Sequence, residues 1–295
     1  MKRFIIGLSI VMLSSGHDMY VKLNHYFLNP NAKGVIELVN GTFDRSDNVI
    51  TRDRMIDVSM VSNGERVSID TANWFEKETT TYLNFTTGSA GTYVAGVSTR
   101  ARDFGMSADD FNDYLEHDGV LDMLATRRRN GTLGDSAIER YSKHVKTIFQ
   151  VGGELSEDYK TELGYPIEFI PQENPYNIHP GHKLSVKLLF DEKPLANQLV
   201  YVGSKATAAE HSHDEHTHSH GEPTDHKHDE LLQFRTDANG LFEVPINSEG
   251  TWYLRTIHLV ETSEDGLTHE SNWATLTFGV GSDNEHDHSH SHDHD

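Results

Sequence analysis

His17-Asp18-Met19-Tyr20-Val21-Lys22-Leu23-Asn24 alternates along its length, with His17, Met19, Val21 and Leu23 on one parity and Asp18, Tyr20, Lys22 and Asn24 on the other. A period of two is strand spacing, and it assigns the His17 imidazole to the apolar side of that strand. The segment decides the fold class because the downstream chain repeats its pattern of short alternating runs separated by turn residues.

Upstream, Lys2 and Arg3 precede an apolar run from Phe4 to Leu13, and Ser14 and Gly16 follow it. A basic end, a short apolar middle and small residues at the close make a secretory signal peptide over 1–16. A run of ten residues is short of the roughly 20 that a bilayer-spanning helix needs. Cleavage after Gly16 leaves His17 at the N-terminus. Its freed α-amine and its own imidazole then form a bidentate metal ligand, which no internal histidine can supply. The expected location is the periplasm, with no membrane insertion after cleavage. The chain has no cysteine, so neither disulfides nor a lipidated cysteine anchor is expected.

Downstream, Gly34–Val39 reads as a strand, and Met55–Val61 and Arg66–Ile69 flank Asn63-Gly64, a type I′ hairpin signal. Tyr82–Phe85 and Thr92–Val97 flank Gly88-Ser89-Ala90-Gly91 and read as a second hairpin. Ser107 with Asp110 resembles a capping box, followed by Phe111, Tyr114 and Leu115 at helical spacing. Val120, Leu121 and Leu124 begin a second short helix that ends near Arg127-Arg128-Arg129-Asn130-Gly131, an arginine run read as a solvated helix end. Tyr141, Val145, Phe149 and Val151 share parity, so 139–151 reads as a returning strand, with a helix as the competing reading. Strands are also expected at 183–190, 198–202, 231–235, 241–246, 251–260 and 272–280. The fold class is mainly β: an N-terminal β-sandwich over 17–160 with a helical insert, and a C-terminal immunoglobulin- or transthyretin-like sandwich over 161–282.

Two stretches lack hydrophobes to bury and belong to neither core. The loop 210–230 holds His211, His213, His216, His218, His220, His226 and His228. The tail 283–295 holds His286, His288, His290, His292 and His294. His-x-His spacing on an extended chain sets successive imidazoles on one side, and the interspersed carboxylates add oxygen donors for transition metals. The formal net charge of −21 favours cations and excludes nucleic acid as a partner, because phosphate contacts need a basic face. A more defined site is expected where His17 meets His258, which shares parity with Trp252 and Leu254 in its strand. Amine, imidazole and a second imidazole suit the tetragonal preference of Ni(II) or Cu(II), with Glu270 as an oxygen donor. His179 and His182 read as surface residues. The pattern assigns no site role to His25, His117, His144 or His269.

The start His17-Asp18 is followed in order by FNDYLEHDG (111–119), ERYSKHVK (139–146), LGYPIEFIP (163–171), KPLANQLV (193–200), TDANGLF (236–242), WYLRTIH (252–258) and ESNWATLTF (270–278). Together they resemble the bacterial periplasmic family called domain of unknown function 4198, whose members are often described as components of nickel or cobalt uptake. The resemblance implies two β-domains and extracytoplasmic binding of Ni(II) or Co(II), with Zn(II) or Cu(II) as alternatives. It points to His17 and His258, and less directly to Glu270, as metal ligands. The expected function is non-catalytic capture of divalent ions for a membrane importer. A copper oxygenase built on His17 and a structural polymer-binding module are the competing readings.

Overall fold

The computed structural model describes residues 17–205 and 231–281. Its first strands are β1 (Asp18–Lys22), β2 (Phe27–Leu28), β3 (Lys33–Gly41), β4 (Met55–Ser62), β5 (Glu65–Ser68), β6 (Trp74–Lys77), β7 (Thr80–Thr86), β8 (Gly91–Thr99) and β9 (Arg102–Met106). Two helices follow, α1 (Ala108–His117) and α2 (Leu121–Asn130), and then β10 (Ala137–Val151) and β11 (Ile167–Pro171). The remaining strands are β12 (Lys183–Phe190), β13 (Lys193–Pro194), β14 (Leu199–Lys205), β15 (Leu232–Arg235), β16 (Leu241–Pro245), β17 (Gly250–Glu261) and β18 (His269–Val280). The expected signal peptide and both histidine-rich stretches, with all twelve of their histidines, lie outside the described residues.

The strands form three layers. The middle layer is a ten-stranded sheet in the order β15-β14-β17-β18-β10-β8-β4-β5, with β2 and β9 also paired to β10. One face carries the sheet β1-β3-β7-β6, and the other carries β11-β12-β13 with β16 beside β12. The expected mainly β, sandwich-like architecture is what the chain adopts. The segments on either side of residue 160 nevertheless share the middle sheet, because β10 pairs in parallel with β18, Glu139 opposite His269 through Ile148 opposite Phe278.

Strand parity sorts the two cores. In β10, Val145 and Phe149 pack with Met19, Val21 and Leu83 under the β1 sheet. Ile148 faces the opposite way, into the core that Leu276 and Phe278 of β18 share with Val186 and Leu188 of β12. A smaller apolar cluster of Phe111, Leu115 and Leu124 seats the helices on Ile257, Leu259 and Trp273. Thr275 and Thr277 of β18 donate their hydroxyls to the Met19 and Val21 carbonyls at 2.9 and 2.6 Å. These bonds fix β1, and with it His17, against the middle sheet.

Local signals explain the elements. Asn63 and Gly64 have φ of +50° and +77°, as a type I′ turn requires, and β4 pairs with β5 across them. The Ser107 hydroxyl accepts from the Asp110 amide at 3.2 Å and caps α1, while α2 stops at Gly131 in the left-handed region. The Gly88–Gly91 hairpin is overturned. β7 pairs with β3 and β6, whereas β8 pairs with β4 and β10 in another layer. All nine residues of β8 are buried, so it takes a central position covered on both faces. β7 alternates and keeps one partly open face.

Candidate functional site

β1 begins one residue after His17, and Asp18 lies opposite Gly41 at the end of β3. The chain then turns sharply. The Ser46 hydroxyl accepts from the Asn40 amide at 3.0 Å and donates to the Thr79 carbonyl at 2.6 Å, and the Asp47 amide reaches the Asn40 carbonyl at 2.9 Å. This anchored turn places Asp47 Oδ2 3.3 Å from His17 Nδ1. The approach needs Gly41, where a Cβ would stand 2.8 Å from Asp47 Oδ2. Arg45 holds the other carboxylate oxygen at 2.8 Å and is itself largely exposed. The His17 side chain is 29% exposed. Burial lowers its pKa, with Asp47 acting in the opposite direction, which favours the neutral imidazole, the form that binds metal ions.

Behind His17 opens a cavity of about 180 Å³, whose wall includes Met19, Arg54, Glu139, Tyr141, Lys143 and Trp273. Lys143 comes inward from β10. Its ammonium donates to the His17 carbonyl and, at 3.2 Å, to Asn40 Oδ1, and it stands 4.6 Å from the centre of the Trp273 ring. Burial brings its pKa down to about 8, against the pull of Asp18 and Asp118. Glu139 Oε1 accepts from the Ser271 and Tyr114 hydroxyls, and burial raises its pKa. Tyr114 stacks on Trp273 at 6.1 Å. Beside the cavity, Arg255 lies 3.2 Å from Asp18 and donates to the Asp118 carbonyl at 3.0 Å.

His258 and His17 are not brought together. In β17, Tyr253 packs with Tyr20 of β1 and with Phe43 in the loop after β3, and Arg255 reaches Asp18. The even residues turn to the opposite side, where Trp252 and Leu254 join the β12 core. His258 follows them. Its Nδ1 is 3.0 Å from Gln198 Oε1 and its ring lies 4.5 Å from that of Phe190; burial lowers its pKa. The middle sheet therefore separates it from His17. Glu270 is exposed and pairs opposite Val260, on the His258 parity, so it does not join His17 either. Among the described residues no group of three histidine, cysteine or acidic side chains is gathered as for a metal ion.

Asp47, Arg54, Glu139 and Lys143 are site residues that the sequence pattern alone does not single out. Glu139 and Lys143 carry a usable signal, since both fall on the apolar parity of β10 with Tyr141 and Val145. His144, to which the pattern assigns no role, is bracketed by the Ser98 and Ser142 hydroxyls at 2.9 and 3.0 Å. Arg127 is not a solvated helix end. It is buried over the Phe111 ring and bonded to Asn112 and the Asp135 carbonyl.

A family model described as a domain of unknown function (DUF4198) matches residues 14–260. No curated protein sequence matches the chain. Among solved structures, Salmonella alpha-2-macroglobulin reacted with methylamine aligns at 11% identity and a TM-score of 0.23, over 88% of this chain and 15% of that one. The D0-D1 domain of Intimin aligns at 11% identity and a TM-score of 0.20, over 88% and 97%. Yersinia pseudotuberculosis adhesin InvE aligns at 14% identity and a TM-score of 0.20, over 89% and 58%. The chain thus spans about 15% of the length of the macroglobulin, and scores this low carry no argument about fold or role. Among the described residues no helix is long and apolar enough to cross a membrane.

Proposed function

The chain belongs to the DUF4198 family, and from that premise we propose that it is an exported, non-catalytic binder of divalent transition-metal ions that passes its cargo to a membrane importer. The observation that carries this reading is the His17–Asp47 pair. A separation of 3.3 Å is long for a charge-assisted hydrogen bond, which closes to about 2.7–2.9 Å. It falls in the range of two ligands of one ion: donors each about 2.1 Å from a metal lie roughly 3.0 Å apart at the right angle of a tetragonal ion and roughly 3.4 Å apart at a tetrahedral angle.

Two side chains make an incomplete site. Cleavage after Gly16 would add the His17 amine, and histidines of the 210–230 and 283–295 stretches would supply further imidazoles while gathering additional ions. An open coordination shell of this kind favours transfer over storage. Nickel or cobalt is the cargo suggested by the family resemblance, with zinc or copper as alternatives. The site lies in the periplasm in this reading.

Titration calorimetry of the secreted, metal-stripped protein with Ni(II), Co(II) and Zn(II) tests it. Deleting both histidine-rich stretches is expected to lower the number of ions bound while one tighter site persists. His17→Ala or Asp47→Asn in that deleted background is expected to weaken the remaining site at least tenfold. Binding of the same affinity in His17→Ala, or no binding by the wild type at micromolar metal, overturns the proposal.

A further inference from the structure

The cavity behind His17 is lined by two cations, Arg54 and Lys143, that form no ion pair among the described residues. Arg54 is 8% exposed and lines the cavity. Its side chain makes one long hydrogen bond, Nη1 to the Tyr141 hydroxyl at 3.4 Å, and its Nε meets no acceptor. No ion pair involving Arg54 occurs among the described residues, although its guanidinium lies 5.3 Å from the Tyr141 ring centre. Lys143 is 6% exposed and is held by a carbonyl and an amide oxygen. A buried guanidinium with unused donors is costly unless an anion meets it. Glu139 stands on the same wall, but hydroxyl donors already engage its carboxyl.

Met19, Ile50, Phe104, Met106 and Trp273 give the lining an apolar part, beside polar groups that include Asn40 and Thr99. We propose that this cavity binds a small organic monocarboxylate, its carboxylate on Arg54 and Lys143 and its apolar body against Trp273 and Met106. The size agrees: an apolar cavity of about 150 Å³ admits a benzene ring, and this one is about 180 Å³. A single carboxylate fits better than a phosphate dianion, because Glu139 on the wall would oppose a second negative charge. A guanidinium is a planar fork whose N–H donors match the two oxygens of a carboxylate. The proposal does not depend on metal binding at His17.

The test uses the secreted protein after metal removal with EDTA, so that failure here leaves the His17 reading untouched. Benzoate and butyrate are the probes, with benzyl alcohol as a neutral counterpart, and binding is followed by ligand-observed NMR titration. At least one carboxylate is expected to bind saturably, and benzoate at least tenfold more tightly than benzyl alcohol. Arg54→Met is expected to weaken binding at least tenfold. Met106→Trp, on the partly exposed strand β9, puts a larger side chain into the lining without removing a charge and is expected to do the same. The Trp variant and the alcohol comparison decide the matter if Arg54→Met does not fold. Benzyl alcohol binding as tightly as benzoate, unchanged affinity in folded Met106→Trp, or no saturable binding by either carboxylate overturns the proposal.

Discussion

Lys146 Nζ lies 3.0 Å from Glu168 Oε2, and both side chains are almost wholly buried, at 2% and 3% exposure. Lys146 comes from β10 of the middle sheet and Glu168 from β11 of the outer one, so the pair ties two layers together. The Glu168 carboxylate also accepts from the Leu163 and Tyr165 amides at 2.9 and 2.7 Å. Replacing Lys146 with Met strands the carboxylate in the interior. Losing one partner of a buried pair typically costs about 3–5 kcal/mol, and urea unfolding of Lys146→Met is expected to show a loss of that size. A change below about 1 kcal/mol would mean that the two amides suffice to hold the charge.

His144 dictates part of the acid response. Burial brings its pKa down to about 4, whereas in the unfolded chain it titrates near 6.5. Between those values the unfolded state binds a proton that the folded state refuses, so stability is full above about 6.5 and falls as pH drops toward 4. The shift corresponds to about 3 kcal/mol over that window. His17, His258 and His269 are shifted the same way, so the measurement is a difference. His144→Gln should flatten the acid limb of a stability–pH curve relative to wild type, and parallel curves would contradict the assignment.

Gly119 closes the turn after α1 at φ +75°, and the Tyr201 hydroxyl donates to its carbonyl at 2.8 Å. A Cβ there would collide with the Tyr201 phenol, adding steric conflict to the cost of a left-handed conformation. Gly119→Ala is expected to lower stability by about 2–3 kcal/mol. Gly119→Ala combined with Tyr201→Leu should recover the steric share, which thermal unfolding of the two variants can read.

Arg45 competes with any cation for Asp47, whose Oδ1 it holds at 2.8 Å. Exposed ion pairs are worth at most about 1 kcal/mol, and that sum corresponds to roughly fivefold in an equilibrium constant. On the metal-binding reading, Arg45→Ala should tighten nickel binding by up to that factor in calorimetric titration. Weaker binding would show that Asp47 needs Arg45 to hold its place.

Much of the fold is legible in the sequence because alternation is a local property. The parity of 17–23 places Met19 and Val21 in the core, and that of 141–151 makes β10 a strand with Val145 and Phe149 inward. Asn63-Gly64 and Ser107 announce their turn and cap through backbone chemistry alone. Parity relates residues within one strand, however, and is silent about which layer a strand joins. Tyr82–Phe85 and Thr92–Val97 therefore look like a hairpin while entering different sheets, and His258 looks like a companion of His17 while facing away from it. Asp47 sits in an irregular turn, and Arg54 in the charged run Arg52-Asp53-Arg54, so neither stands out from an ordinary surface. Glu139 and Lys143 are the exception, because a charge on the buried parity of a strand is visible in the alternation itself.

The parallel joint between β10 and β18 has a kinetic consequence. The residues it unites are about 130 positions apart, Glu139 with His269 and Ile148 with Phe278, and β18 is the plank that lies between β10 and β17. Until that plank is laid, each neighbour offers a bare row of amides and carbonyls to any passing strand. Assembly must wait on a distant partner, and distant pairings are slow to form. On the export reading proposed above, the chain would be most vulnerable to clumping during that interval, and a holdase that covers strand edges would have its work there.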